Sequence, residues 1–233
     1  FFRPIMAVSV GRIRSQLEPE TNAKYKDYQI TRWLAHKGGN EQAVLQTIQN
    51  QHINEDRARA VLDDPTRSAA VWDLQNSLPS QFVVLKNERR LLCFSDQSTK
   101  PKQLNNDVVI DQFLLFSYYL LGRLEEEFGE DAQASLIFDQ RQSPVELAEV
   151  RLRINCIGEI SGRSFPGMIH SMYVINSWNT FFKRAIQTII NMKKMPGPPP
   201  NFSSEAELHK MWGRALVPPY LAGDMDAQKM AEA

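Results

Sequence analysis

Apolar positions recur along this chain at two different periods, and the change from one to the other comes near residue 80. In the first part the spacing is helical. Tyr25, Tyr28, Ile30, Trp33 and Leu34 recur at about one turn and stop at Gly38-Gly39, a natural helix terminator, with Asn40 placed to cap the next helix. Val44, Leu45 and Ile48 give that second helix its buried face, and the charge-rich stretch Glu55 to Leu62, ended by Pro65, predicts a third short one. From Phe82 the pattern becomes that of strands. Phe82-Val-Val-Leu85 and Leu91-Leu-Cys-Phe94 flank a polar turn containing Asn87, which predicts a strand pair. Val108 to Leu124 is apolar almost all round, with Phe113, Leu114, Phe116, Tyr118, Tyr119, Leu120 and Leu121, as a helix buried against a sheet requires. A strand follows at Ala134 to Phe138, ending at Asp139. Ser143-Pro-Val-Glu146 then opens a helix with a Ser cap, Pro at the first helical position and Glu three residues after the cap. Met172 to Ile175 reads as a further buried strand.

This order predicts an α/β fold: a helical subdomain over 1–79, then a mixed or largely parallel sheet with flanking helices over 80–224. Met195-Pro-Gly-Pro-Pro-Pro200 reads as a linker, because four prolines in six positions cannot supply donors to a sheet ladder. Ser204-Glu-Ala-Glu207 is a second capping box, opening a helix through Met211 and Trp212. The tail, 225–233, is expected to fray.

The most informative segment follows Ile175. Trp178, Phe181, Phe182, Ala185, Ile186, Ile189 and Ile190 fall on one helical face, while Asn179, Thr180, Lys183, Arg184, Gln187 and Thr188 fill the other. Periodicity alone admits two readings. One is an ordinary amphipathic helix packed on the sheet. The other is a hinged lid whose apolar face covers a ligand cavity and which swings out at a membrane, so that its aromatics and Lys183, Arg184, Lys193 and Lys194 meet lipid and anionic headgroups.

Composition narrows the function classes. The 27 basic and 27 acidic residues cancel, so the basic surplus of a nucleic-acid binder is missing. Cys93 and Cys156 form neither a disulfide framework nor a zinc spacing, which points to a reducing compartment and, by default, the cytosol. The opening residues lack the charged start and uninterrupted apolar core of a signal peptide. A first residue other than Met is expected of a trimmed chain. The longest apolar stretch, Val108 to Leu121, contains Asp111 and Gln112 and falls short of the roughly 20 residues a spanning helix needs.

Catalytic motifs are missing: no G-x-S-x-G elbow, phosphate-binding loop, G-x-G-x-x-G turn or H-E-x-x-H helix occurs. His36, His52, His170 and His209 lie in different elements with no ligand spacing and read as surface or hydrogen-bonded histidines. Asp139, at a strand's C-terminal end, stands where α/β enzymes place reactive groups, but with no partner nucleophile it reads as a loop cap.

The order of motifs resembles the CRAL-TRIO lipid-binding family. Ser164-Phe-Pro-Gly-Met-Ile-His-Ser-Met-Tyr-Val-Ile-Asn176 is similar to that family's signature, an aromatic-Pro pair before a short strand ending in Ile-Asn. Three flanking segments agree in order: Ile30 to Lys37 with Ala43, Ser135 to Asp139, and Ser203 to Leu208 through Leu216 to Gly223. The resemblance covers about Tyr25 to Asp224. It implies a cavity for one phospholipid, retinoid, tocopherol or similar molecule, with Trp178 to Ile190 as the gate helix. Phe116, Tyr119, Phe138, Tyr173 and Ile175 are its expected lining. The chain departs from the pattern in three places. Gly167-Met168 stands where a charged pair is usual. Pro196 to Pro200 stands where a short strand follows the gate. Cys156 and Ile189 stand near the positions that hold an inositol headgroup in some members, where only a small shift would recruit Glu159 or Lys183.

The expected function is therefore binding of one hydrophobic ligand, with transfer or presentation at membranes, rather than catalysis. No cofactor is expected beyond the bound lipid. The expected partners are that lipid and a transient membrane surface, in a cytoplasmic, peripherally associated protein, with no nucleic acid; a protein partner or flanking domain stays open. The alternative is a protein-interaction scaffold of the same fold without lipid exchange.

Overall fold

The computed structural model describes residues 2–77, 83–88, 90–96, 106–129, 132–141, 160, 164–176, 180–193 and 198–226, with backbone alone at 2–6, 73–77, 83, 96, 106, 181, 189–190 and 192–193. Its first part is helical: α1 (Phe2–Arg14), α2 (Pro19–Lys24), α3 (Asp27–His36), α4 (Glu41–Asp63) and α5 (Pro65–Ser77). Val10, Ile13, Tyr25, Ile30, Trp33, Leu34, Val44 and Ile48 form one apolar cluster between α1, α3 and α4. As the glycines predict, α3 closes on a Schellman turn. Gly38 and Gly39 adopt φ of 62° and 82°, and their N–H groups reach Ala35 O and Leu34 O. Asn40 then caps α4 by accepting from the Ala43 N–H at 3.0 Å.

One expectation fails here: the second and third predicted helices are a single 23-residue helix, α4. The polar run Gln49 to His52 interrupts the apolar pattern but not the backbone, and its buried member, Gln51, donates to Ser164 O. α4 ends at Asp63, just before Pro65 as expected, and Pro65 itself opens α5, at a first-turn position where its missing N–H costs nothing.

The second part is a five-stranded sheet in the order β1-β2-β3-β4-β5. The strands are β1 (Val83–Asn87), β2 (Arg90–Asp96), β3 (Gln133–Asp139), β4 (Ile169–Ile175) and β5 (Pro200–Ser203). β1 and β2 form the predicted antiparallel pair, and every later pairing is parallel. The fold class is thus the expected one, helices with a mixed sheet. β5 corrects the linker reading in part. The chain regains a strand at Pro200, and Asn201, Phe202 and Ser203 pair with Tyr173, Val174 and Ile175.

Strand alternation gives the sheet two unlike faces. On one, Val84, Leu91, Cys93, Ala134, Leu136, Phe138, Met172 and Val174 pack with Leu114, Leu120 and Leu124 of α6 (Asn106–Phe128). On the other, Leu92, Phe94, Ile137 and Ile175 meet Leu208, Val217, Leu221 and Met225. Those last four belong to the closing segment, which contains α8 (Glu205–Trp212) and two short 3-10 turns. The chain stays packed slightly beyond the expected fraying point, since Met225 is buried and its N–H reaches Val217 O at 3.2 Å.

The helical layer and the sheet are stitched together by polar contacts. Asp111 of α6, buried at 2% exposure, accepts from Arg57 Nε of α4 at 2.6 Å and from Arg67 Nη2 of α5 at 2.7 Å. Tyr28 Oη and Gln29 Nε2 of α3 both donate to Glu125 Oε1 of α6, at 2.6 and 3.1 Å.

Candidate functional site

The amphipathic segment after Ile175 is helix α7 (Thr180–Lys193). Its described side chains divide by face. Ile186 is buried at 3% exposure; Phe182 and Ala185, within one turn of it, are half-buried, and so is Lys183. Arg184, Thr188 and Asn191 are exposed along the opposite side at i, i+4 and i+7. Trp178 and Lys194 lie outside the described residues, as do the side chains of Phe181, Ile189, Ile190 and Lys193. Ile186, though buried, joins none of the three apolar clusters of described residues.

Crossover handedness argues for the face of the sheet on which α7 lies. The parallel strands β2, β3, β4 and β5 follow one another across the sheet in chain order. Right-handed crossovers that all step in the same direction place their connections on one face. α6, the first such connection, packs on the face of Leu136, Phe138, Met172 and Val174. The same rule calls for α7, between β4 and β5, to cross that face, where Phe202 of β5 packs beside Val174.

The residues expected to line a cavity do not all come together. Phe138 lies on the α7 face, and Phe116 packs against the same cluster. Tyr119 does not point inward: it is 47% exposed, and its hydroxyl accepts from Arg123 Nη1 at 2.8 Å. Tyr173 and Ile175 belong to the opposite face. The Tyr173 ring meets Trp212 edge-on at 5.2 Å, and Ile175 packs with the closing segment. The reason is the period of two. Val174 pairs in register with Phe138, so its neighbours 173 and 175 must point the other way. Met172, Val174 and Phe202 instead share the face of Phe138, a parity that only the register with β3 reveals.

The titratable groups are tied into structure. Asp139, buried at the end of β3, accepts from the Arg141 backbone N–H at 3.1 Å and from its Nε and Nη2 at 2.9 and 2.7 Å. Arg141 also pairs with Glu205 and donates to Tyr220 O, clamping the closing segment to the strand end. Asp139 is therefore the loop cap its residue type suggests. His52, His170 and His209 lie against Thr21 Oγ1, Gln133 Oε1 and Leu221 O, at 3.4, 3.2 and 3.0 Å. Burial pushes the Cys93 thiol up, as expected of a small core hydrophobe.

The turn before β4 is held by residues that read as surface positions in the sequence. Gln51 and Asn54 of α4 donate to Ser164 O and Ser164 Oγ, and Gln133 Nε2 donates to Gly167 O at 2.9 Å. Gly167 sits at φ 76°, and a Cβ there would lie 3.1 Å from Arg32 Cγ. The glycine that departs from the family pattern is thus required by a left-handed turn beneath an arginine stem. The two polar residues one turn apart on α4 were the only available sign of this seam.

No protein-family model matches the sequence, and no curated protein matches it. Solved structures do match, among them the crystal structure of Sfh5, at a TM-score of 0.59 and 11% identity, covering 90% of this chain and 84% of that one. At that identity the likeness is one of architecture: this chain shares the overall fold of Sfh5 over nearly its whole length.

Proposed function

We propose that the chain binds one hydrophobic ligand between α7 and the sheet face of Phe138, Met172 and Val174, and exchanges or presents it at membranes by moving α7. The observation that carries this reading is the division of α7 into a face with Ile186 buried and an opposite face with Arg184, Thr188 and Asn191 exposed. Supporting it are the signature-like segment Ser164 to Asn176, which the resemblance ties to lipid binding, and the fold shared with Sfh5.

The energetics favour a gate. Burying an acyl chain is worth roughly 0.8 kcal/mol per CH2, so unaided escape into water is slow, and exchange is fast only where a membrane receives the ligand. A lid with an apolar inner face and exposed Arg184 on its outer face suits that task. The protein-interaction reading draws on a different feature, Trp72 of α5, which is 58% exposed far along the chain from α7.

Native mass spectrometry of the gently purified chain, before and after incubation with phospholipid vesicles, tests the proposal. One bound lipid per chain, exchanged more slowly by Phe181→Asp/Phe182→Asp protein of unchanged circular dichroism, is the expected result. An interior that takes up no lipid, or a variant that unfolds, ends the carrier reading and leaves α7 as a core helix.

A further inference from the structure

The helical layer contains a polar feature that the carrier reading does not use. Tyr25 and Trp33 are buried to 6% and 2% exposure in the cluster between α1, α3 and α4. Neither the Tyr25 hydroxyl nor the Trp33 indole N–H has a hydrogen-bond partner among the described residues. Their rings meet edge-on, with centroids 5.4 Å apart, and the His52 ring closes a second edge contact on Tyr25 at 6.1 Å. Polar contacts border this otherwise apolar cluster. Lys24 pairs with Glu55 over the outer side, Thr21 and His52 meet at 3.4 Å, and Tyr118 reaches the Gln51 carbonyl at 3.3 Å.

A buried donor without a partner is rare, and two side by side in one cluster rarer still, because each forfeits the hydrogen bond it made in water. We propose that the junction of Tyr25, Trp33 and His52 is an internal water site: a long-lived water accepts from the Trp33 indole N–H and exchanges a hydrogen bond with the Tyr25 hydroxyl. Water is the ligand class that fits. The site must offer an acceptor to an indole that can only donate, and a donor or acceptor to a phenol that can do either. Two unpartnered polar groups give a water the partners that an apolar void of the same size lacks.

The sign of one substitution separates the two states. If the hydroxyl is unpartnered, Tyr25→Phe relieves a buried polar group and raises Tm or leaves it unchanged. If it holds water, Tyr25→Phe lowers Tm by about 2–4 °C in a chain of this size. A second measurement does not depend on stability. Water-selective NOE and ROE spectra of the full chain, with the Trp33 indole N–H assigned from Trp33→Phe, should show a dipolar cross-peak to a long-lived water that weakens in Tyr25→Phe. A cross-peak of pure chemical exchange, or none, overturns the proposal, as does a rise in Tm.

Discussion

Single residues at special backbone positions decide local geometry. Gly167 is one: with φ at 76° and the Arg32 stem 3.1 Å from its missing Cβ, Gly167→Ala should lower unfolding stability by about 1–2 kcal/mol in urea titration. Loss of the same size in an Arg32→Ala/Gly167→Ala double variant would show backbone strain, and partial recovery would show the clash. Glu207 is a second. Its carboxylate accepts from the Ser204 N–H at 2.7 Å, a backbone bond that, with the Ser204 hydroxyl, holds its pKa below the ordinary 4.5. A depressed carboxylate stabilises the fold above its unfolded pKa, and that contribution disappears as pH falls through the lower folded value. The Ser204 and Glu207 amide shifts should therefore titrate together below pH 4.5 and fray the first turn of α8, an effect absent in Glu207→Gln.

At the level of elements, what matters is which helix is tied to which. α4 runs unbroken from the helical cluster, through Val44 and Ile48, to the sheet cluster, through Ala58. Arg57 on α4 and Arg67 on α5 share the carboxylate of Asp111 on α6. Removing one arginine leaves a buried carboxylate with half its compensation. Arg57→Ala should cost about 1–3 kcal/mol in chemical denaturation, and Asp111→Asn should recover part of that loss in the double variant. No recovery would mean that Arg57 acts through packing of its stem alone. Most element positions were legible in advance, because caps, glycine stops and period changes are local signals: α3 closes at Gly38, α8 opens at Ser204, and β1 pairs with β2, although Asn87, expected in the turn, ends β1 and pairs with Arg90. The join inside α4 was not, because Gln51 and Asn54 look like solvent-facing residues until the Ser164 turn, more than a hundred residues later, arrives to accept from them.

For the whole molecule the test is electrostatic. The chain has no net charge, so any attraction to an anionic membrane must come from a local face, and α7 presents Arg184 outward with Lys183 half-exposed beside it. Lys183→Glu/Arg184→Glu should weaken sedimentation with vesicles containing phosphatidylserine, most strongly at low salt, since such contacts are screened over roughly 8 Å at physiological ionic strength. A loss that does not vary with salt would place membrane contact elsewhere on the surface. Among the described residues no helix is long and apolar enough to cross a membrane.

Local periodicity and capping chemistry determined by themselves that this chain builds helices first and a mixed sheet afterwards, since both depend on neighbours within a few residues. Strand register could not be read that way. Whether Tyr173 or Val174 faces α7 depends on pairing with Phe138, and a shift by one residue exchanges the two faces entirely. Tertiary structure alone decided that Tyr119 turns outward, that Asp139 is paired with Arg141, and that Met172, Val174 and Phe202 share the sheet face of Phe138. Each of these rests on contacts between segments far apart in the chain, whose free energy no local pattern encodes.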